Sequence, residues 1–333
     1  MPRVFSGIQP TGDLHLGNYL GALINWVRMQ DTHDCVFCVV DMHAVTLDYD
    51  RDGLAGRTVE MATNLLAVGV DPARSILFAQ SHVGDVHGEA TWLLNCSTRF
   101  GELNKQPQWK EKGLGKDSAS MGLFDYPVLQ AADILLYHAD EVPVGEDQRH
   151  HVELTRNIAH RFNSRFAAPD APIFTLPTAI HPKEAARVMD LQNPTAKMSK
   201  SADSPKGTVL VLDDPAKVAK KIRAAVTDSE TEVRHDRHSK PGVANLLEMM
   251  SVATGRTIDD LVGDYATTGY GRFKGDVAEA VVEMLRPARE RHAALSADPG
   301  EVARILREGA TRARAICEPT RDLAKAAMGF LTA

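Results

Sequence analysis

The sequence predicts an α/β protein: a parallel sheet flanked by helices, followed by an all-helical C-terminal region. Three observations carry this. Strand-length apolar runs alternate with helix-length amphipathic segments through the first part of the chain. The run from Cys35 to Asp41 is nearly all apolar, as a strand covered on both faces should be. After Lys240-Pro241-Gly242 no strand pattern recurs, and the spacing is helical throughout.

Residues 3–8 read as a short first strand, and Gln9 to Asp13 as a turn. A helix then runs from about Leu14 to Gln30, with Leu16, Leu20, Leu23, Ile24 and Val27 on one face. Cys35 to Asp41 is the second strand. Residues 56–68 are the next helix, with Gly69 as C-cap and Asp71-Pro72 beyond it. Ile76 to Gln80 is the third strand. Strand, helix, strand, helix, strand is the pattern of a parallel sheet. Residues 104–120 break it: glycine-rich and carrying Lys105, Lys110, Lys112 and Lys116, they read as a basic loop, or a helix broken by one. Tyr126 to Tyr137 is an apolar helix apart from Gln130 and Asp133. Val142-Pro143-Val144 is a strand leading into a helix over 146–163, and 164–182 is proline-rich and irregular. Thr208 to Leu212 reads as a last strand. A helix over 215–226 follows, with Asp214 as N-cap, Pro215 at its first position, and Val218, Ile222 and Val226 on its core face. Helices at 243–254, 257–266, 274–295 and 299–331 complete the chain. The expected organisation is a sheet-bearing domain over 1–190 with the insertion at 104–120, a connecting part over 191–240, and a helical region over 241–333.

A chain of 333 residues can bury two cores, and 44% hydrophobic with 25% charged residues is ordinary for a soluble globular protein. The net charge of -6 does not advertise a nucleic-acid binder, but local basic patches matter more than the total. Cys35 and Cys38 form a Cys-x-x-Cys, for which a redox or zinc reading is available. On a strand, however, positions three apart point to opposite faces, and no second pair completes a four-ligand site. Buried, reduced, structural cysteines fit a cytoplasmic protein better. Gly7, Pro10 and Gly12 interrupt any signal-peptide core, and no apolar run approaches a membrane span.

Four stretches carry chemistry. Lys197-Met198-Ser199-Lys200-Ser201 lies between Pro194-Thr195 and Asp203-Ser204-Pro205, so it reads as a surface loop. Its lysines and serines bring positive charge and hydroxyl donors to an anion; the plainer alternative is a solvated linker. Gln9-Pro10-Thr11-Gly12-Asp13-Leu14-His15-Leu16-Gly17-Asn18 sits at a strand-to-helix junction, where unpaired N–H groups attract phosphate. Gly17 leaves room for a ligand, and His15 and Asn18 are spaced to face it together; the alternative is a capped helix start. Val144-Gly145-Glu146-Asp147-Gln148 occupies a second such junction, where a glycine admits a nucleoside and a carboxylate accepts a ribose hydroxyl. Acidic residues at a helix start also suit the helix dipole. Asp133 is a carboxylate in an apolar helix, costly to bury without a donor. An indole N–H is such a donor, and a neighbouring basic side chain is the alternative.

The Lys197–Ser201 stretch resembles the signature loop of class I aminoacyl-tRNA synthetases, and His15-Leu-Gly-Asn18 resembles their other signature, in the right order. Phe5 to Pro10, Phe37 to His43, Ala131 to Tyr137, Val142 to Gln148, Ala225 to Ser229 and Lys240 to Gly242 extend the resemblance over nearly the whole chain. They point to the bacterial-type tryptophanyl-tRNA synthetases. The resemblance implies a Rossmann-type catalytic domain, a helical anticodon-binding domain, and a homodimer bridged by tRNA. It implies that L-tryptophan is activated with ATP and passed to tRNA(Trp), with Mg2+ on the ATP phosphates. Carried over position by position, Gln9, Pro10, Thr11, Gly17 and Asn18 would hold ATP at the helix start. Gly145, Glu146 and Asp147 would hold the ribose, and the Val188 backbone the adenine. Lys197, Met198, Ser199, Lys200 and Ser201 would close on the phosphates. The catalytic work would fall to Lys197, Ser199, Lys200, Gln9 and Asn18. Asp133 would accept the indole N–H, while Phe5, His43, Tyr126, Gln130, Val142, Val144 and Gln148 surround the amino acid. Gln130 stands where many members have methionine, which makes the pocket wall more polar. The family's basic loop usually reads Arg-Met-Thr-Gln-Phe-Lys; here Lys105-Gln-Pro-Gln-Trp-Lys110 stands in its place, with Lys112 carried over as a phosphate contact.

A tyrosyl enzyme, a smaller nucleotidyltransferase of the same superfamily and a non-catalytic tRNA- or protein-binding relative are the competing readings. Lys200 discriminates against the last. Lys200→Ala should slow single-turnover adenylate formation by about two to three orders of magnitude, as loss of a charge-stabilising donor does. Tryptophan affinity should hardly change, and a rate within about threefold of wild type would remove the lysine from this role.

Overall fold

The computed structural model describes residues 1–145, 148–180, 188–199 and 204–331. β1 (Arg3–Ile8) ends at the helix-start motif, where α1 (Leu16–Asn18), a π-helical stretch (Tyr19–Leu23) and α2 (Ile24–Met29) run on as one rod. β2 (Asp34–Val39) leads into the short α3 (Asp41–Ala44) and then α4 (Leu54–Val68), which Gly69 ends at a positive φ of 115°. β3 (Ile76–Ala79), α5 (Gly84–Asn95), α6 (Phe100–Leu103), α7 (Pro107–Lys112) and α8 (Met121–Leu135) follow. Then come β4 (Glu141–Pro143), α9 (Arg149–Phe166) and β5 (Thr178–Ile180). The C-terminal helices are α10 (Pro215–Arg223), α11 (Pro241–Thr254), α12 (Ile258–Tyr265), α13 (Tyr270–Ser296) and α14 (Pro299–Ala327).

The strands form one parallel sheet in the order β3-β2-β1-β4-β5. The chain leaves β1 in both directions, so the crevice at its carboxyl end is where such a sheet binds ligands. Alternation along β2 divides the core: Cys35, Phe37 and Val39 enter one hydrophobic cluster, Val36, Cys38 and Val40 the other. The two cysteines therefore serve opposite sides of the sheet and cannot share a ligand. The first cluster continues through α4 into α11 and α13; the second is built on α5, α8 and α9.

Several expectations change. Thr208 to Leu212 is not a strand of this sheet. It makes a single antiparallel bridge, Leu210 to His15, with Leu16 N donating to Val209 O at 2.8 Å and Val211 N to Leu14 O at 2.9 Å. Its apolar side chains fill the core beside the helix start, which is why it reads as a strand. β5 hides within the proline-rich stretch 164–182, where its length of three residues gives no periodic signal. Of the two readings of residues 104–120, the helix broken by a loop is the one found: α7, which Pro107 opens, ends at Lys112. The helix after Asp214 stops at Arg223, so Val226 lies beyond it and is exposed.

α14 returns to the sheet and covers its edge. Arg312 Nη1 donates to Ser75 O at 3.0 Å and Pro72 O at 2.7 Å, and Ala313 and Cys317 are buried in the second cluster. The approach is close because Gly309 lies against β3: a Cβ there would stand 1.8 Å from Leu77 O. Gly309→Ala should therefore destabilise the protein by about 1–3 kcal/mol, as overpacking does. Gly275→Ala, in α13 with open space around it, should be neutral or slightly stabilising. Thermal unfolding of the two variants checks this, and equal midpoints would contradict the seat described.

Candidate active site

A cavity of about 1020 Å³ opens at the carboxyl end of the sheet. The end of β1 supplies Phe5 and, beyond it, Gln9, Pro10 and Thr11; the rod's first turn supplies Asn18. α3 supplies His43, α8 supplies Tyr126, Gln130 and Asp133, and the end of β4 supplies Val142, Val144 and Gly145, with Gln148 beside them. Thus the residues expected around the amino acid and five of those expected around ATP line one space. Lys112 and Gln108 of α7 also reach this wall. Trp26, Arg57 and the segment from Thr46 to Asp50 line it too. Sequence reading passed over that segment, which has neither periodicity nor a motif.

Gly17, Val188, Lys197, Met198 and Ser199 do not line this cavity. They gather beside the helix start. Met198 N donates to Val188 O at 3.1 Å, and Met189 bridges Lys197 in antiparallel fashion. The Thr208 hydroxyl donates to Ser199 O at 2.8 Å, and Lys221 Nζ donates to Thr208 O at 2.6 Å while pairing with buried Asp213. Met198 is buried and Lys197 exposed. A Cβ on Gly17 would stand 3.0 Å from the His15 ring and 3.6 Å from Met198 Cβ, so the two signatures touch at this glycine. His15 and Asn18 cap each other: Asn18 N donates to His15 Nδ1, and His15 N to Asn18 Oδ1, both at 3.2 Å. Glu146, Asp147, Lys200 and Ser201 lie outside the described residues.

Asp133 is the buried hub of the cavity floor. Its Oδ1 accepts from Gln80 Nε2 at 2.6 Å and His87 Nδ1 at 2.7 Å; its Oδ2 accepts from His43 Nε2 at 2.8 Å. Burial pushes its pKa up, and the bonds from His43 and His87 more than reverse this, to about 2. His87 Nε2 lies 2.8 Å from the Tyr137 hydroxyl. The sequence exposed the need for donors but not their source, because Gln80 and His87 lie 53 and 46 residues away. Nearby, the Tyr126 hydroxyl meets His151 Nε2 at 2.8 Å, and His151 Nδ1 meets Gln148 Oε1 at 2.7 Å, so Gln148 and Tyr126 are held through one ring. Burial pushes the Tyr126 phenol up to about 12, which keeps it a hydrogen-bonding hydroxyl.

A parallel sheet whose two signature motifs meet at Gly17, beside a cavity with volume enough for a nucleotide and an amino acid, defines a class I synthetase type of site. The chain matches the family model for class I tRNA synthetases (W and Y) over residues 1–286, and it belongs to that family. Within it the similarity is to the tryptophan branch. The chain is 50% identical over 335 residues to tryptophan–tRNA ligase 2 of Streptomyces avermitilis, covering 100% of this chain and 98% of that protein. Among solved structures, tryptophanyl-tRNA synthetase of Mycoplasma pneumoniae superposes with a TM-score of 0.87 at 33% identity, covering 99% and 98% of the two chains. That of Campylobacter jejuni, complexed with ADP and tryptophan, gives 0.83 at 35% identity, covering 98% and 100%.

Proposed function

We propose that this chain activates L-tryptophan with ATP, releasing pyrophosphate, and transfers tryptophan from the adenylate to tRNA(Trp). The observation that carries the reading is the single cavity that holds Asp133 and the amino-acid wall at one end and Gln9, Thr11, Asn18 and Gly145 at the other. In the first step the tryptophan carboxylate attacks the α-phosphorus of ATP. In the second the tRNA terminal hydroxyl attacks the adenylate carbonyl. No protein nucleophile takes part: the chain positions the reactants and stabilises charge on the transferring phosphate. Gln9 and Asn18 are placed to orient the nucleotide from the helix start. Lys197, Ser199 and Lys200 act from the loop, where lysines that engage only as charge develops favour the transition state. Glu146 and Asp147 are assigned to the ribose, and Lys112 to phosphate. Mg2+ accompanying ATP would supply charge neutralisation at the phosphates that Lys197, Ser199 and Lys200 approach.

Partners follow. Exposed Lys220 and Arg223 of α10, with the helices after it, offer tRNA a basic surface despite the acidic total. Trp92, Phe100 and Met121 are 67%, 72% and 73% exposed on the helices α5, α6 and α8. Large apolar side chains left in water on neighbouring helices suit a second copy of the chain, which sedimentation would reveal as a dimer. Among the described residues no helix is long and apolar enough to cross a membrane. We place the chain with translation in the cytoplasm.

The Asp133 reading separates tryptophan from tyrosine. A site built on a hydrogen bond rejects ligands that cannot make it, because its own polar group is left unpaired. Tryptophan-dependent pyrophosphate exchange should be robust and tyrosine-dependent exchange negligible. Asp133→Ala should lose about ten- to a hundredfold in preference for tryptophan over the analogue whose ring nitrogen is sulfur, and Asp133→Asn less. Equal preference in wild type and Asp133→Ala would make Asp133 a structural residue. Exchange that depends on tyrosine would overturn the function itself.

A further inference from the structure

The Asp133 carboxylate has an inner and an outer oxygen. Oδ1 takes two donors, Gln80 and His87, both wholly buried and neither on the cavity wall. Oδ2 takes one, from His43, which does line the cavity. A carboxylate offers about four acceptor sites, so the remaining one belongs to Oδ2, on the ligand side. The carboxylate only accepts, so His87 Nδ1 carries a proton. In a neutral ring Nε2 is then the acceptor, and the Tyr137 hydroxyl donates to it at 2.8 Å. Tyr137 is itself wholly buried, its ring stacked on Phe5 at 5.5 Å between centroids.

We infer that His87, held in its Nδ1–H tautomer by the Asp133 carboxylate and in its ring orientation by the Tyr137 hydroxyl, is a positioning residue that turns Asp133 Oδ2 toward the amino-acid cavity and so sets the enzyme's preference for the indole N–H. This rests on the reading of Asp133 as the indole acceptor. Without the hydroxyl, Nε2 is left unpaired in a buried setting and the ring loses the bond that fixes its orientation, which weakens the Nδ1–H bond to Oδ1 and loosens the carboxylate. The groups facing Asp133 are His43 from α3, Gln80 from the turn after β3, His87 from α5 and Cys38 from β2. Burial first, and then Asp133 itself, pushes the Cys38 thiol well above its ordinary range. Behind them Cys317 of α14 reaches the Tyr137 hydroxyl. Burial favours a protonated Asp133, and the histidine donors oppose it. Losing the His87 donor removes one of the two groups that hold the Asp133 pKa down, so its direction is upward.

The test is pyrophosphate exchange with wild type, His87→Leu, His87→Asn, Tyr137→Phe and Asp133→Ala at a fixed pH near neutrality. His87→Leu should raise KM for tryptophan about tenfold with kcat and KM for ATP within about threefold. Its preference for tryptophan over the sulfur analogue should fall by about the same factor. His87→Asn restores an N–H near the Nδ1 position and should recover most of the loss. Tyr137→Phe removes one oxygen and should shift selectivity in the same direction by less; it decides the matter should His87→Leu fail to fold. A merely structural role would lower kcat and raise both KM values together, and His87→Asn would not restore selectivity. If His87→Leu and Tyr137→Phe keep wild-type selectivity while Asp133→Ala loses it, the inference falls and the Asp133 reading stands. Wild-type selectivity in Asp133→Ala would remove both.

Discussion

A carboxylate withdrawn from water must be surrounded by donors or give up its charge, and the architecture around Asp133 is arranged by that requirement. Three donors from three separate elements converge on it: α3, the turn after β3, and α5. Those elements are fixed relative to one another only when β2, β3 and α8 are in place. The amino-acid end of the cavity is therefore a product of the whole sheet. Buried polar networks of this kind are costly when one member is missing, so they also define a single arrangement of the core around them.

The other end of the cavity depends on apolar contacts within segments best known for charge. Met198 lies among buried hydrophobic residues, and Gly17 sits against it and the His15 ring. The non-polar members of each signature hold the two segments together, which sets where the neighbouring lysines and amides stand. Thr208 and Lys221 secure the exit of the loop, so a charged side chain on α10 is occupied with holding backbone.

Much of this was legible in the sequence for identifiable reasons. β2 and β3 carry continuous apolar runs, and α4, α11 and α14 carry helical spacing with caps or prolines at their ends. The cavity lining from α8 and β4 could be anticipated because Asp133 and Gly145 are out of character for their surroundings. What stayed hidden is non-local or aperiodic. His87 is unremarkable in the sequence of α5 until β3 and α8 bring Tyr137 and Asp133 to its two ring nitrogens. Thr208 to Leu212 has the composition of a strand, but its hydrogen bonds go to Leu14 and Leu16, not to a sheet neighbour. Thr46 to Asp50 joins the cavity only because β2 and α3 deliver it there.

The seat of α14 on β3 bears on how the protein is made. Arg312 bonds the carbonyl of Ser75, 237 residues earlier in the chain, and Gly309 lies against Leu77. On the ribosome the N-terminal part emerges first, so β3 waits with an open edge until α14 has been translated. A nascent chain interrupted before α14 would carry both signatures and most of the cavity yet leave an exposed strand beside the Tyr137 and His87 cluster. Emergence of α14 and closure of the sheet edge are thereby joined, and products terminated before α14 would be candidates for aggregation or proteolysis instead of partly active enzymes.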